Sequence, residues 1–277
     1  MDDLSAFKTF TSNLVEQAYT MPVLFIGHGS PMNGIEHNMY SNQWMQLAND
    51  IPVPQAVLVV SAHWFTKGTS ITAMDFPKTI HDFGGFPQAL FDVQYQAPGN
   101  PLLAAETAAM VQSATIELDH DWGLDHGAWT ILKHMYPAAN IPILQLSIDY
   151  TKAPSYHYAL AKELYQLRKK GVLIIGSGNM VHNLRMVAWD KLAIPGFGFD
   201  WALEMNDTFK QLILQNQHAP LINYEGLGAA AKLAIPTPEH YLPLIYTLGL
   251  KTEKDAIKFF NDTAVGGSLT MTSVQFG

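Results

Sequence analysis

The sequence predicts an α/β fold: a single domain with a mostly parallel central sheet flanked by helices, and an active site at the carboxyl ends of the strands. Three observations predict it. Apolar-rich runs of strand length occur at 22–26, 55–61, 141–148 and 172–176, and where the run is continuous rather than alternating, as at 55–61, it marks a strand buried on both faces, as in a parallel sheet. Segments with helical spacing separate these runs. Three of the four runs lead to a histidine, and in open α/β sheets ligands bind beyond the carboxyl ends of the strands.

The elements follow in chain order. Leu4, Phe7, Leu14, Val15 and Ala18 lie at helical spacing and predict an N-terminal helix over 4–18. The first strand, 22–26, hands over to Gly27-His28-Gly29-Ser30-Pro31. Trp44, Met45, Leu47 and Ala48 predict a short helix. It ends at Ile51-Pro52-Val53-Pro54, because a residue before proline is pushed out of the α region. The second strand, 55–61, ends in Ser61-Ala62-His63-Trp64. Residues 68–91 read as a loop around Asp82-Phe83-Gly84-Gly85-Phe86-Pro87, of the kind that lines binding sites. Helices are expected at 101–114 and 128–135, the second preceded by Trp122-Gly123-Leu124-Asp125-His126-Gly127. After the third strand, 141–148, residues 155–170 read as one helix. Ser155 is its expected N-cap, and Arg168, Lys169 and Lys170 precede Gly171 at its C-terminus. The fourth strand, 172–176, breaks at Gly176-Ser177-Gly178-Asn179 and reaches His182. A helix near 199–215, a Gly/Ala-rich connection at 226–231 and Pro236-Thr237-Pro238-Glu239-His240 follow. Thr252 and Asp255 have the spacing of a capping box for a late helix, and 267–276 predicts a final strand. No repeat, low-complexity tract or linker divides the 277 residues, so one catalytic domain over 1–277 is expected.

Composition narrows the chemistry. Only 14% of residues are charged, against about 25% in typical globular proteins, which fits a large buried core. Arginine occurs twice, at Arg168 and Arg185. The net charge of −8, without long charge runs, argues against nucleic acid or an anionic membrane as partner. The absence of cysteine excludes disulfides, iron–sulfur clusters, thiolate zinc sites and a Cys nucleophile. Any metal must be held by histidines and carboxylates. No apolar run approaches the ~20 residues that span a bilayer, and the N-terminus lacks a signal-peptide core; a cytoplasmic location is expected. The glycine turns match neither a Walker A nor a G-x-G-x-x-G fingerprint, and no G-x-S-x-G elbow is present.

Of eleven histidines, His37, His120, His134, His157 and His218 are expected to be ordinary structural or surface residues. His28, His63 and His182 differ because each follows a predicted buried strand. Three imidazoles delivered to one rim by a rigid sheet make a metal or acid–base site.

Further motifs stand beside these. Gly27-His28-Gly29-Ser30-Pro31, Ser61-Ala62-His63-Trp64, His81-Asp82-Phe83-Gly84-Gly85-Phe86-Pro87, Asp125-His126-Gly127, Gly178-Asn179-Met180-Val181-His182-Asn183 and Pro236-Thr237-Pro238-Glu239-His240-Tyr241 occur in that order. Together they resemble the class III extradiol ring-cleavage dioxygenases, and within them the 4,5-DOPA dioxygenase extradiol branch. The resemblance runs from about residue 21 to the C-terminus; residues 1–20 lie outside it.

The resemblance implies a mononuclear non-haem Fe(II) and O2 as co-substrate, with both oxygen atoms inserted into a catechol to give a ring-opened semialdehyde. It implies His28 and His63 as metal ligands, with a third ligand in Pro238-Glu239-His240. His182 corresponds to an acid–base group that also serves as a fourth ligand when substrate is absent, and His126 to a second active-site histidine facing the substrate. Class III enzymes acting on protocatechuate complete the site with a glutamate, as in the two-His, one-carboxylate triad. The DOPA-type branch uses the histidine, which selects His240 and leaves Glu239 beside it. An all-histidine site binds Zn(II) readily as well as Fe(II). The expected partner is a small-molecule catechol, and the expected state a monomer or small homo-oligomer. Trp64, Phe83, Phe86 and Trp129 are candidates to wall the substrate ring, with ordinary core packing as the equal alternative; Arg185 is expected to face solvent. One rival is a zinc-dependent hydrolase using the same histidines to activate water, although H-E-x-x-H and acidic two-metal clusters are absent. The other is a non-catalytic metal-binding protein.

Overall fold

Within each long apolar run, alternate residues must point to opposite faces, so a run without polar breaks needs a helical layer on both sides. A computed structural model describes residues 14–277 and shows this arrangement. In chain order the elements are β1 (Val23–Gly27), α1 (Met39–Asp50), β2 (Ala56–Thr66), β3 (Thr69–Thr72), α2 (Gln88–Phe91), α3 (Pro101–Met110), β4 (Ile116–Asp119), α4 (His126–Met135), β5 (Ile143–Asp149), α5 (Pro154–Glu163), α6 (Tyr165–Lys169), β6 (Val172–Gly178), α7 (Asp200–Leu214), α8 (His218–Ile222), α9 (Ala229–Ala234), α10 (Leu242–Leu250), β7 (Ile257–Phe260), β8 (Ala264–Val265), β9 (Leu269–Thr270) and β10 (Ser273–Phe276).

Eight strands form one sheet in the order β4-β3-β5-β2-β6-β1-β10-β7. The central four, β5, β2, β6 and β1, are mutually parallel; antiparallel pairings with β3 and β10 flank them. Val23 and Phe25 of β1, Leu58 and Val60 of β2, and Ile174 of β6 face one core, shared with α5, α7 and α10. Leu24 and Ile26, Val57 and Val59, and Leu173 and Ile175 face the other, shared with α1 and α4. The mostly parallel α/β sheet flanked by helices is therefore as the sequence predicts.

Several local expectations change. Of the predicted N-terminal helix, residues 4–13 lie outside the described residues, and 14–18 are not helical; there the Gln17 N–H bonds the Lys169 carbonyl at 2.8 Å. The helix predicted at 155–170 divides at Leu164 into α5 and α6, and its N-cap is Ala153, not Ser155. No late helix follows Thr252. Asp255 accepts the Thr252 N–H at 2.7 Å as in a capping box, but its carboxylate pairs with Arg168 and the chain turns into β7. The short strands β3 and β4 carry no apolar run: TSIT pairs with β5 through Ile71 and Leu146 alone, and β4 is the half-exposed edge. Their patterns are too short and polar to separate from loop.

His157, expected to be ordinary, is fully buried and hydrogen-bonds the Tyr246 hydroxyl at 3.0 Å. Burial pushes its pKa down to about 4. The neutral form is thus the native one, and its stabilisation is complete above the ordinary histidine value of about 6.5. Protonation of the unfolded chain alone removes stability as the pH falls from about 6.5 towards 4, by about 3 kcal/mol over that window. Urea unfolding of wild type and His157→Gln across this range is expected to show a flatter pH slope in the variant. Equal slopes would exclude His157 as a source of acid lability.

Candidate metal centre

Three features of the sheet's carboxyl rim collect the histidines. β1 and β6 run in register, with Ile26 opposite Ser177 and Gly27 opposite Gly178, so His28 leaves the sheet beside the end of β6. Gly29, at φ +62°, makes the turn that a residue with a Cβ adopts only under strain. Asn33 then holds the loop, donating to the His28 carbonyl at 2.9 Å.

His63 reaches the rim by a different route from the one expected. β2 does not stop at Ser61 but continues to Thr66, and between Val60 and Phe65 it shifts register against β5, where five steps of β2 match two of β5. His63 sits in this bulge, a device that re-aims side chains beside functional sites. The Ser61 hydroxyl next to it donates to Asp125 at 2.7 Å, and Gln145 donates to the other Asp125 oxygen at 2.7 Å. Asp125 is also the N-cap of α4. This buried network pins the first turn of α4, and with it His126, against β2 and β5.

His240 is delivered by close approach. Its carbonyl accepts the Asn179 N–H at 2.9 Å and would lie 2.1 Å from a Cβ on Gly178, so only glycine allows the two chains to touch there. His182 follows four residues after β6, its N–H bonded to the Ala234 carbonyl at 2.8 Å.

The structure brings His28, His63 and His240 together, with potential ligand atoms all within 4.8 Å of one another. His28 Nε2 and His63 Nε2 are 3.1 Å apart. Glu239 does not join that group; its carboxylate lies 3.3 Å from His240 Nδ1. His182 falls with Glu239 and His240 in a second group, and His126 with His63 and Asp82 in a third. The His182 and His240 rings stack at 3.5 Å, and the His63 and His126 rings lie 3.8 Å apart.

Hydrogen bonds assign the tautomers. The Ser177 hydroxyl donates to the Gly127 carbonyl at 2.5 Å; its lone pair therefore accepts the Nδ1–H of His28, 3.0 Å away. Asp82 Oδ2 lies 3.1 Å from His63 Nδ1 and 2.9 Å from His126 Nδ1. Burial pushes the Asp82 carboxyl up, but hydrogen bonds from His126 and His63 outweigh it and hold the group well below the usual carboxylate range. An ionised carboxylate only accepts, so both rings carry their proton on Nδ1. The facing Nε2 atoms of His28 and His63 thus present two lone pairs to one point.

Burial, reinforced by the neighbouring imidazoles, holds His28 and His240 well below the ordinary histidine value; burial and then His63 lower His182 to about 4, against the opposing pull of Glu239. Neutral, convergent, buried imidazoles fit a divalent cation. The 3.1 Å separation also suits two nitrogens each about 2.0–2.1 Å from a single ion.

Among the aromatic candidates, Phe83 reaches the histidines, its ring 5.6 Å from that of His126 and 5.4 Å from Phe86. Trp64 instead stacks on Trp122 at 5.6 Å. Trp129 is a core residue whose indole donates to the Ile80 carbonyl. Arg185 is exposed. Sequence reasoning assigned no role to Asp82, Ser177 or Asp125; the usable signal was their place within the quoted motifs, each next to or facing a histidine.

Comparison with known proteins shows the family of the chain. Residues 22–273 match the family described as the catalytic LigB subunit of aromatic ring-opening dioxygenase. The chain belongs to the LigB family. As a LigB-family member it is 46% identical over 273 residues to "4,5-DOPA dioxygenase extradiol" of Escherichia coli K12, covering 96% of this chain and 98% of that protein. It is 34% identical to the protein of the same name from Beta vulgaris, covering 91% and 95%. A crystal structure of an uncharacterized Escherichia coli K12 protein superposes with a TM-score of 0.78 at 40% identity, over 93% of this chain and all of that one. The resemblance read from the motifs and the extradiol dioxygenase class are both supported by these relatives. Among the described residues no helix is long and apolar enough to cross a membrane.

Proposed function

We propose that this LigB-family chain is a single catalytic domain that cleaves the ring of a small catechol of the 4,5-DOPA type, with O2 as co-substrate. In this reading His28, His63 and His240 hold one divalent metal, Fe(II) for activity and Zn(II) as an inactive occupant. The observation that carries it is the cluster of converging imidazoles, with His28 and His63 facing each other through their Nε2 atoms at 3.1 Å, at the carboxyl rim where α/β sheets bind ligands. The metal, when bound, would supply Lewis-acid and redox chemistry at this point.

The chain's own residues supply proton handling and shape. His182, neutral at pH 7, accepts a proton from a catechol hydroxyl. Its grouping with Glu239 and His240 rather than with His28 and His63 supports the base role over that of a fourth ligand. His126 donates its Nδ1–H to Asp82 and turns an Nε2 lone pair inward, so it accepts from a substrate hydroxyl and donates through Nε2 only once protonated there. Phe83, edge-on to His126, offers an apolar wall for the ring.

The test is anaerobic reconstitution of metal-free protein with Fe(II), followed by a panel of catechols including DOPA, with O2 uptake and yellow product as readouts. Stoichiometric O2 consumption with ring-opened product is expected. No uptake with any catechol would reject the dioxygenase reading, and ester or phosphoester hydrolysis by the zinc form would favour the hydrolase instead.

A further inference from the structure

We propose that Asp82 is the positioning residue of this centre: one carboxylate accepts the Nδ1–H groups of two histidines and so sets which ring nitrogen each turns inward. The inference rests on the reading of His63 as a ligand and His126 as a substrate-facing imidazole.

Asp82 lies in the segment 73–87, which has no helix or strand, yet it is firmly placed. Ile80 N–H bonds the Leu124 carbonyl at 2.7 Å, Leu124 N–H bonds the Lys78 carbonyl at 2.8 Å, and the Trp129 indole donates to the Ile80 carbonyl at 2.9 Å. His81 donates to the Val93 carbonyl at 3.0 Å. These bonds strap the loop across the start of α4. The Asp82 side chain is only 16% exposed, and Oδ1 accepts the His126 backbone N–H at 2.9 Å, an N-terminal helix donor with no partner inside the helix.

The two oxygens therefore have separate tasks. Oδ1 anchors the loop to α4, while Oδ2 receives both imidazoles, at 3.1 and 2.9 Å. An asparagine keeps the shape and one acceptor, but its second position donates. With the anchor preserved, its NH2 takes the place of Oδ2 and accepts from neither ring, so at least one histidine is driven to change tautomer and aim a proton, not a lone pair, at the centre. Such partners orient metal-binding histidines, and their loss typically lowers metal affinity 10–100-fold.

The experiment uses zinc-loaded full-length protein with isotope-labelled histidines. Side-chain nitrogen NMR is expected to find His63 and His126 both protonated on Nδ1. Asp82→Asn is expected to move one of them to the Nε2–H tautomer and to weaken zinc binding about 10–100-fold, with an unchanged circular dichroism spectrum. Wild-type His63 or His126 protonated on Nε2 would overturn the proposal, whether or not the variant folds. So would Asp82→Asn with unaltered tautomers and zinc affinity, or a second zinc per chain that only Asp82 variants lose, which would make Asp82 itself a ligand. No catechol enters these measurements, so a failure of ring cleavage leaves this result standing and a failure here leaves the ring-cleavage reading standing.

Discussion

His28→Ala and His240→Ala are expected to emerge from purification with little bound metal under conditions that leave wild type loaded, and to show no measurable O2 uptake after Fe(II) reconstitution. Each removes one of three converging imidazoles, so the loss in metal affinity exceeds the 10–100-fold that follows when only a hydrogen-bonding partner of a ligand is removed. Both residues are at least nine-tenths buried, and alanine there leaves a polar-lined gap without a donor. His182→Ala is the contrasting variant: it lies outside the His28–His63–His240 group, and it is expected to keep most of its metal while losing turnover. Metal analysis of the three proteins separates the roles. Full occupancy in His28→Ala or His240→Ala would show that the ligand set was wrongly chosen, and wild-type turnover in His182→Ala would remove its acid–base role.

The second large effect lies at the opposite rim. Arg168→Met is expected to destabilise the fold by about 3–5 kcal/mol, the range for breaking a buried ion pair by removing one partner. The Arg168 guanidinium is fully buried. It pairs bidentately with Asp255 at 2.8 and 2.9 Å, and also donates to the Met21 carbonyl at 2.7 Å and the Leu250 carbonyl at 2.8 Å. One side chain thus ties α6 to the segment leading into β1, the end of α10 and the turn into β7. Burial pushes the Asp255 carboxyl up, yet Arg168 holds it below its ordinary value; without Arg168 that carboxylate is left buried and unpaired. Arg168→Met/Asp255→Leu, which removes both charges, is expected to recover much of the loss. Urea unfolding measures both, and a single-variant loss below about 1 kcal/mol, the worth of a surface ion pair, would show the clamp to be dispensable. Zinc affinity is expected to survive in either variant, because the clamp and the metal centre sit at opposite ends of the strands.

These two sites differ in how far the sequence discloses them. Arg168 is legible only as a basic residue near a helix end. Its partner lies 87 positions away in a segment whose Thr252–Asp255 spacing suggests a helix cap, and the same carboxylate does satisfy the Thr252 N–H. Local pattern cannot tell whether such a cap opens a helix or a turn into a strand, because that depends on what the other oxygen finds in space. The long helix predicted at 155–170 fails for a related reason: propensity carries across Leu164, while the backbone there leaves the α-helix.

The four strand-length apolar runs, and the histidines that follow three of them, are determined by sequence alone, because burial on both faces leaves little room for polar residues and the pattern survives without any coordinates. The motif order likewise pointed to the family, and His28, His63, His126, His182 and His240 were all named as site residues on that basis. Only the tertiary structure decides how they are arranged. His63 is turned to the rim by a bulge inside β2, not by the strand's end. His240, not Glu239, joins His28 and His63, because the close contact of Gly178 with the His240 backbone carries that residue inward. Asp82, an acidic residue in an irregular loop, becomes the shared acceptor of two imidazoles. Each of these depends on atoms far apart in the chain meeting within hydrogen-bond distance, which no periodicity encodes.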